Sequence, residues 1–546
     1  MMEAYGFTWI FGVGMVVAFA DAYGIGANDV ANSFATSVSS GSLTLVQACI
    51  IACFTEFLGA LLLGASVSDT IKDGIISTEN FVETPEMLMM GMMCALIGSA
   101  TWVLIATRFG WPVSTTHAIV GAVCGVGIAA FGGGSIDWSW DGIISIVASW
   151  FISPIAAGAV ASIFYLSAKY AVLRQVDSVK WGLRLVPVYF FITVTIAVFY
   201  IVFKSPGAKE GHLSLSSTIG IAFGCGGGLA IYAWVFFCPW LRRKVVDREA
   251  LRFYHIPIIY WVSKKPSVDE LVAQEKADTA SSVDNGEKAE QEDEAVSSKS
   301  TKQHEKNCTC SCNEKAATFD EEKAEPIDTR PLHIRIKDKV LGVLLHGLRQ
   351  DVRNIGNSKL ASMHAAAELY EDDAEYLFSF LQVLTAIVAS FAHGSNDVSN
   401  AMGPLSSIYN IWSTGMVSDK APVPIWVLVY GGAAIDIGLA TMGYRLMRSM
   451  GNNITYITPT RGFAAELGAA LTVLTCSQIG VPVSTTHCIT GATAAVGLCN
   501  GNLRAVNWKM LGQTMFGWVM TLPCAGLVAG LIFAFAAYGP SFVYLR

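Results

Sequence analysis

The chain has 546 residues, 53% of them hydrophobic and only 14% charged, with a mean hydropathy of +0.48. That balance excludes an ordinary cytosolic enzyme, a secreted disulfide scaffold and a nucleic-acid binder, because the polar surface to keep any of them in solution is missing. Of 79 charged residues, 47 lie between residues 240 and 375, so the other 410 positions are about 8% charged and belong in lipid; the net charge of −7 comes mostly from the polar segment and marks no site.

Apolar runs long enough to cross the ~30 Å hydrocarbon core occur near 7–38, 43–65, 87–107, 113–131, 142–168, 186–203 and 215–238, then near 376–408, 423–447, 463–478, 482–499 and 512–538. The first run has no Lys or Arg before it and no small-residue cleavage site behind it, so it is expected to remain in the mature protein. Between the two sets, residues 266–329 are rich in Glu, Lys and Ser and are expected to be disordered. The tract Cys308, Cys310 and Cys312 near His304 reads as incidental rather than as a soft-metal site. Residues 338–356 carry Val340, Val343, Leu344, Leu348, Val352 and Ile355 at helical spacing, the pattern of an amphipathic helix. The ten cysteines outside this tract, such as Cys49, Cys124 and Cys488, read as buried small hydrophobes.

Internal repetition organises the chain. GANDVANSF at 26–34 returns as GSNDVSNAM at 394–402, and PVSTTHAIVGA at 112–122 returns as PVSTTHCITGA at 482–492, at offsets of 368 and 370. Two copies of one unit therefore frame the chain. The expected division is a first membrane repeat at 1–168, two linking transmembrane helices at 169–239, a partly disordered cytoplasmic loop at 240–375 and a second membrane repeat at 376–546. The fold class is an all-α polytopic membrane protein: two inverted-topology repeats with broken helices and re-entrant-type hairpins, about 12 membrane segments in all.

Charge asymmetry sets the expected orientation. Arg242, Arg243, Lys244 and Arg248 follow the 215–238 run, and Lys169, Arg174, Lys180 and Arg184 lie in the 169–185 connection, so both belong to the cytoplasmic side. Asp69, Asp73, Glu79, Glu83 and Glu86 suit the outside. Counting crossings leaves both termini outside, Arg445, Arg448, Arg461 and Arg504 inside, and the two copies entering from opposite faces.

An ionisable residue inside a span costs at least ~2.5 kcal/mol by insertion scales, so each is a functional candidate. Asp29 and Asp397 occupy matching places, preceded by Asn28 and Asn396 and followed by Asn32 and Asn400. Glycines beside them (Gly24, Gly26 and Gly394) predict a helix broken near the midplane, whose freed carbonyls and carboxylates would suit a hard cation such as Na⁺. In the PVSTTH copies, Ser114, Thr115 and Thr116, and Ser484, Thr485 and Thr486, stand where a helix starts. Hydroxyls and unpaired N–H groups there can hold an oxyanion or simply cap the helix. His117 and His487 are expected to support the tips, Glu56 and Glu466 to ligate the cation or carry a proton, and Asp21 and His393 to lie near the site. Asp436 is the nearest counterpart of Glu56 and ranks below both glutamates. Acidic ligands beside anion-binding tips imply that a bound cation relieves the repulsion of the anion, which couples the two.

At these residues the chain resembles the inorganic phosphate transporter (PiT) family, particularly the fungal sodium-dependent phosphate symporters: GANDVAN at 26–32, GSNDVSN at 394–400, both PVSTTH copies and RGFAAELGAALTV at 461–473 match its signatures. The resemblance implies import of inorganic phosphate with Na⁺ across the plasma membrane by alternating access, a homodimer and no enzymatic activity. It carries cation coordination to Asn28, Asp29, Asn396 and Asp397, phosphate contact to Ser114–Thr116 and Ser484–Thr486, and transport essentiality to Glu56 and Glu466. Proton coupling and sulfate remain the alternatives, because residue type alone discriminates tetrahedral oxyanions poorly. No organic cofactor and no nucleic-acid partner are expected.

Overall fold

The computed structural model describes residues 3–63, 78–136, 138–140, 143–204, 213–274, 360–418, 423–478 and 483–539. The 338–356 amphipathic helix, the Cys308–Cys312 tract and residues 275–329 of the stretch expected to be disordered lie outside them. At the near end of that stretch, Ser267 bridges to Glu249 and residues 268–274 are helical.

The described membrane unit is helical, as a backbone in hydrocarbon must be to pair its own N–H and C=O groups. Its helices are α1 (Thr8–Ile25), which passes through a π-helical turn (Gly26–Val30) into α2 (Ala31–Ser39), α3 (Leu45–Leu63), α4 (Pro85–Arg108), α5 (Thr115–Phe131), α6 (Ile143–Ala168), α7 (Ser178–Lys204) and α8 (Leu215–Tyr232). There follow α9 (Asp372–Thr414), α10 (Ile425–Met442), α11 (Pro459–Gln478), α12 (Thr485–Leu498) and α13 (Trp508–Tyr538). Among the described residues, nine helical runs are long and apolar enough to cross a membrane. The twelve apolar runs of the sequence appear as these nine plus α5, α11 and α12. At 14 residues, α12 is about 21 Å long, short of the ~30 Å core, and it packs against α11.

The expected helix break takes a different form. In the first copy it is the π-turn over Gly26–Val30, with helical backbone on both sides; in the second, α9 runs unbroken through Gly394–Asn400 for 43 residues. The glycines serve helix approach instead. A Cβ on Gly26 would lie 1.9 Å from the Ile435 carbonyl oxygen of α10, and one on Gly394 would lie 2.3 Å from the Glu56 carbonyl oxygen of α3. Each motif glycine is thus pressed onto the second helix of the other copy.

Packing exchanges partners throughout. The first hairpin, α4 and α5, packs on α13, and the second, α11 and α12, packs on α6, so each lies against the helix that follows the other. Likewise α1 packs on α10 and α9 on α3. At one end of this unit, Lys169 Nζ lies 2.7 Å from Glu368 Oε2 and donates to the Cys499 carbonyl at 2.8 Å. The buried Arg461 donates to the Glu368 carbonyl (2.5 Å) and to Asn500 Oδ1 (2.7 Å). Burial works against the Glu368 charge, but hydrogen bonds from Lys169, Tyr370 and Arg174 hold its carboxyl down at about 2. Of the ten cysteines expected inside, Cys53 and Cys225 are exposed on helix surfaces.

The second compact unit spans Pro239–Leu341. In its described part, Arg243 pairs with Glu249 at 2.6 Å and donates to the carbonyls of Ile259, Val262 and Ser263. The Arg243 hydrogen bonds keep the Glu249 carboxyl below its usual range.

Gly125 on α5 tests the close packing. Its Cβ would stand 2.0 Å from the Gly526 carbonyl oxygen of α13, so Gly125→Ala should destabilise the purified protein by about 1–3 kcal/mol. Gly224→Ala, with nothing within 4 Å, should leave the thermal midpoint in detergent unchanged; equal midpoints for the two variants would refute tight α5–α13 packing.

Candidate functional site

Two buried carboxylates form the centre, Asp29 on the π-turn and Asp397 on α9, respectively 2% and 1% exposed. Both hairpin tips reach each of them. Asp29 Oδ2 accepts from Thr115 Oγ1 at 2.5 Å and from the Thr115 backbone N–H at 3.4 Å, while its Oδ1 accepts from Thr486 Oγ1 at 2.6 Å. Asp397 Oδ2 accepts from Thr485 Oγ1 at 3.0 Å, and its Oδ1 from Thr116 Oγ1 at 3.4 Å. Each aspartate therefore takes one threonine hydroxyl from its own copy and one from the other. The asparagines follow the same exchange: Asn32 Nδ2 donates to Thr486 Oγ1 (3.0 Å), and Asn400 Nδ2 to Thr116 Oγ1 (3.1 Å).

The sequence folds locally this way because Ser114 and Ser484 cap the helices. Their Oγ atoms accept from the backbone N–H of His117 (3.2 Å) and His487 (3.4 Å), which pairs one orphan donor of each helix start and leaves the threonines to face the aspartates. Capping is thus the role the geometry gives these two serines. Asn28 also turns away from the carboxylates. It donates to Thr107 Oγ1 and the Trp111 carbonyl and accepts from the Val113 N–H, clamping the first tip. Asn396 instead donates to Asp397 Oδ1 at 3.0 Å.

The two glutamates do not join the aspartates directly. Glu56 Oε1 accepts from Ser390 at 2.7 Å, and Oε2 lies 2.8 Å from His393 Nδ1. His393 Nε2 lies 2.7 Å from Asp397 Oδ2, so the histidine links Glu56 to the centre. Glu466 sits in a separate cradle, accepting from Thr36 and Ser37 (2.6 Å each), Gln382 (3.3 Å) and Thr385 (2.7 Å). Asp21 accepts from Ser99 at 2.7 Å.

His117 and His487 meet behind the tips with ring centroids 4.9 Å apart. His117 Nε2 accepts from Trp150 Nε1 of α6, and His487 packs on Trp518 of α13 at 3.8 Å. Sequence reasoning undervalued His393, whose one signal is its place one turn before Asp397. The first copy has Ile25 at that offset, so repeat comparison passes over it. The Glu466 cradle gave no signal at all, because its four donors come from α2 and α9.

A small cavity borders the centre, lined on its polar side by Asp29, Asn32, His393 and Thr485 and on its apolar side by residues including Ala389, Ala470, Val473 and Ile489; its volume is about 20 Å³. That is room for one or two waters or a bare cation, and too little for a polyatomic oxyanion. In this conformation the helix starts offer their hydroxyls to the protein's own carboxylates.

A family model described as the phosphate transporter family matches residues 25–529. The chain is 37% identical to the phosphate-repressible phosphate permease pho-4 of Neurospora crassa, with all of both chains covered. It is 32% identical to sodium-dependent phosphate transporter 2 of Felis catus, covering 98% of this chain and 99% of the relative. Among solved structures, one titled "The sodium-dependent phosphate transporter" superposes with a TM-score of 0.67 at 26% identity, covering 96% of this chain and 98% of its own.

Glu466→Ala would leave four buried donors without their acceptor and should cost on the order of 3 kcal/mol. Glu466→Gln keeps one acceptor oxygen and should cost less. Thermal unfolding in detergent checks both, and an alanine variant as stable as the parent would show that the cradle holds nothing in place.

Proposed function

Because the chain belongs to the phosphate transporter family, we propose that it moves inorganic phosphate together with Na⁺ across the plasma membrane by alternating access. The observation that carries this reading is the reciprocal engagement of Asp29 and Asp397 by both hairpin tips. The helix starts are anion sites by construction, and a protein carboxylate now takes their donors. Phosphate needs the same donors. Two unit charges about 4 Å apart interact by roughly 4 kcal/mol at an effective dielectric constant of 20, so phosphate and bare aspartates repel. Sodium on Asp29 and Asp397 removes that repulsion and frees Thr115, Thr116, Thr485 and Thr486 to turn to the substrate. Linkage makes the effect mutual.

The cavity of about 20 Å³ supports a second step, since phosphate can enter only when the hairpins separate. With each hairpin packed on the helix that follows the other, parting them toward one face or the other is the natural alternation, and it suits two copies inserted from opposite sides. The gathering of Lys169, Arg174, Arg461 and Asn500 around Glu368 supports a cytoplasmic place for that end of the unit. The glutamates Glu56 and Glu466 then act from behind the carboxylate pair, through His393 and through α2.

Uptake of radiolabelled phosphate into liposomes, with Na⁺ and pH gradients imposed separately, tests the proposal. An inward Na⁺ gradient should drive uptake, and excess sulfate should not compete. Asp29→Asn and Asp397→Asn should each raise the Na⁺ needed for half-maximal uptake at least about tenfold, a loss of ~1.4 kcal/mol. Thr115→Val and Thr486→Val should raise the half-saturating phosphate concentration. Uptake driven by a proton gradient alone would overturn sodium coupling.

A further inference from the structure

We propose that Asp29, His393 and Asp397 form a site for a first-row divalent cation of the Zn²⁺ class, which competes with sodium for the two carboxylates. The inference rests on the sodium reading above only for its consequence, inhibition, and not for the site itself. One ligand atom from each residue lies within 4.8 Å of the others, and all three residues are at most 2% exposed. His393 Nε2 lies 2.7 Å from Asp397 Oδ2, off the line of a regular hydrogen bond. A buried polar nitrogen at contact distance from a carboxylate, without the alignment of a hydrogen bond, is arranged like one of two ligands to a shared centre.

The surroundings fix that nitrogen. With the Glu56 carboxylate accepting from Nδ1 at 2.8 Å, Nδ1 keeps its hydrogen, and a metal ion entering the centre would take the place of the Nε2 proton, which otherwise faces the Asp397 carboxylate at 2.7 Å. Glu56 is itself held by Ser390 at 2.7 Å, and Ser390 is hydrogen-bonded to Thr55 at 2.7 Å. This carboxylate–histidine relay is the second shell that orients metal-bound imidazoles.

The donor set selects the ion. Sodium is served by oxygen ligands, whereas an imidazole nitrogen beside carboxylates favours Zn²⁺, Co²⁺ and their neighbours. The first copy has Ile25 where the second has His393, so this is a property of one copy and not of the repeated motif. Metal–ligand bonds of ~2.0–2.2 Å place tetrahedral ligand atoms about 3.4 Å apart, so the Nε2–Oδ2 contact of 2.7 Å would open slightly as an ion entered, and the adjoining cavity, lined by Asp29 and His393, has room for a bare ion. A dication held this way ties up both carboxylates, so sodium cannot occupy them and uptake stops.

Co²⁺ alone is the probe, added in Na⁺-free buffer to the full chain in detergent, with Cys308, Cys310 and Cys312 replaced by Ser to remove competing thiolates. One Co²⁺ per chain should bind, with the visible d–d absorption of a low-coordinate nitrogen–oxygen site, and both Zn²⁺ and Na⁺ should displace it. His393→Gln should weaken binding more than tenfold. Glu56→Gln, which keeps every ligand and removes only the orienting carboxylate, should weaken it ~10–100-fold. Absence of the band, a band indifferent to Na⁺, or equal binding by both variants and the parent would overturn the site. Sodium-driven uptake without Co²⁺ binding would sink this inference alone; Co²⁺ binding in a protein whose uptake ignores sodium would sustain the site and sink the transport reading.

Discussion

Two carboxylates held inside hydrocarbon, each hydrogen-bonded by a threonine from either hairpin, are the constraint on which the rest of the structure depends. A buried charge without partners is unfavourable by several kcal/mol, and each aspartate draws part of its partnering from the other copy. Asp29 takes Thr486 as well as Thr115, and Asp397 takes Thr116 as well as Thr485. The two halves interlock at these bonds. The glycine contacts follow from the same demand, because Gly26 and Gly394 let the carboxylate-bearing helices press onto α10 and α3 and bring the tips within reach.

Much of this was legible in the sequence, for a definite reason. Asp29 recurs within a shared NDV and Thr115 within an identical PVSTTH, and an ionisable side chain in an apolar run is improbable unless something needs it. What the string could not disclose is the use of each residue. Gly26 and Gly394 read as helix breakers, since permissive backbone and close approach leave the same mark; only the carbonyls of Ile435 and Glu56 opposite them decide the matter. Ser114 and Thr115 are adjacent hydroxyls of similar chemistry, yet the extended backbone at Ser114 turns one to the cap and the other to Asp29. Glu466 and Glu56 were both picked out as acids among small residues, but the partners of Glu466, Thr36 and Ser37 on α2 with Gln382 and Thr385 on α9, lie far from it along the chain.

Repetition also hid what is not repeated. His393 has no twin, so comparing the copies lowered its apparent worth, although it is the residue that joins Glu56 to Asp397. A site assembled from two copies can be symmetric in its scaffold and asymmetric in its chemistry. The threonines of the two tips belong to the shared scaffold, and the histidine relay belongs to one side.

That asymmetry bears on how the proposed cycle runs. The threonine hydroxyls stand 2.5 and 2.6 Å from Asp29 but 3.0 and 3.4 Å from Asp397, so the tips close more tightly on the first aspartate. Asp397 makes up the difference with His393, Asn396 and Asn400. The tryptophans lean the same way: Trp150 Nε1 donates to His117, whereas its counterpart Trp518 donates to the Pro112 carbonyl and leaves both ring nitrogens of His487 without a partner. Two nearly equivalent sets of donors in unequal arrangements are what a two-state element requires. Exchange of the tight and loose sets would carry the hairpins from one arrangement to its mirror, and a sodium ion that neutralised Asp29 would weaken the tighter set first.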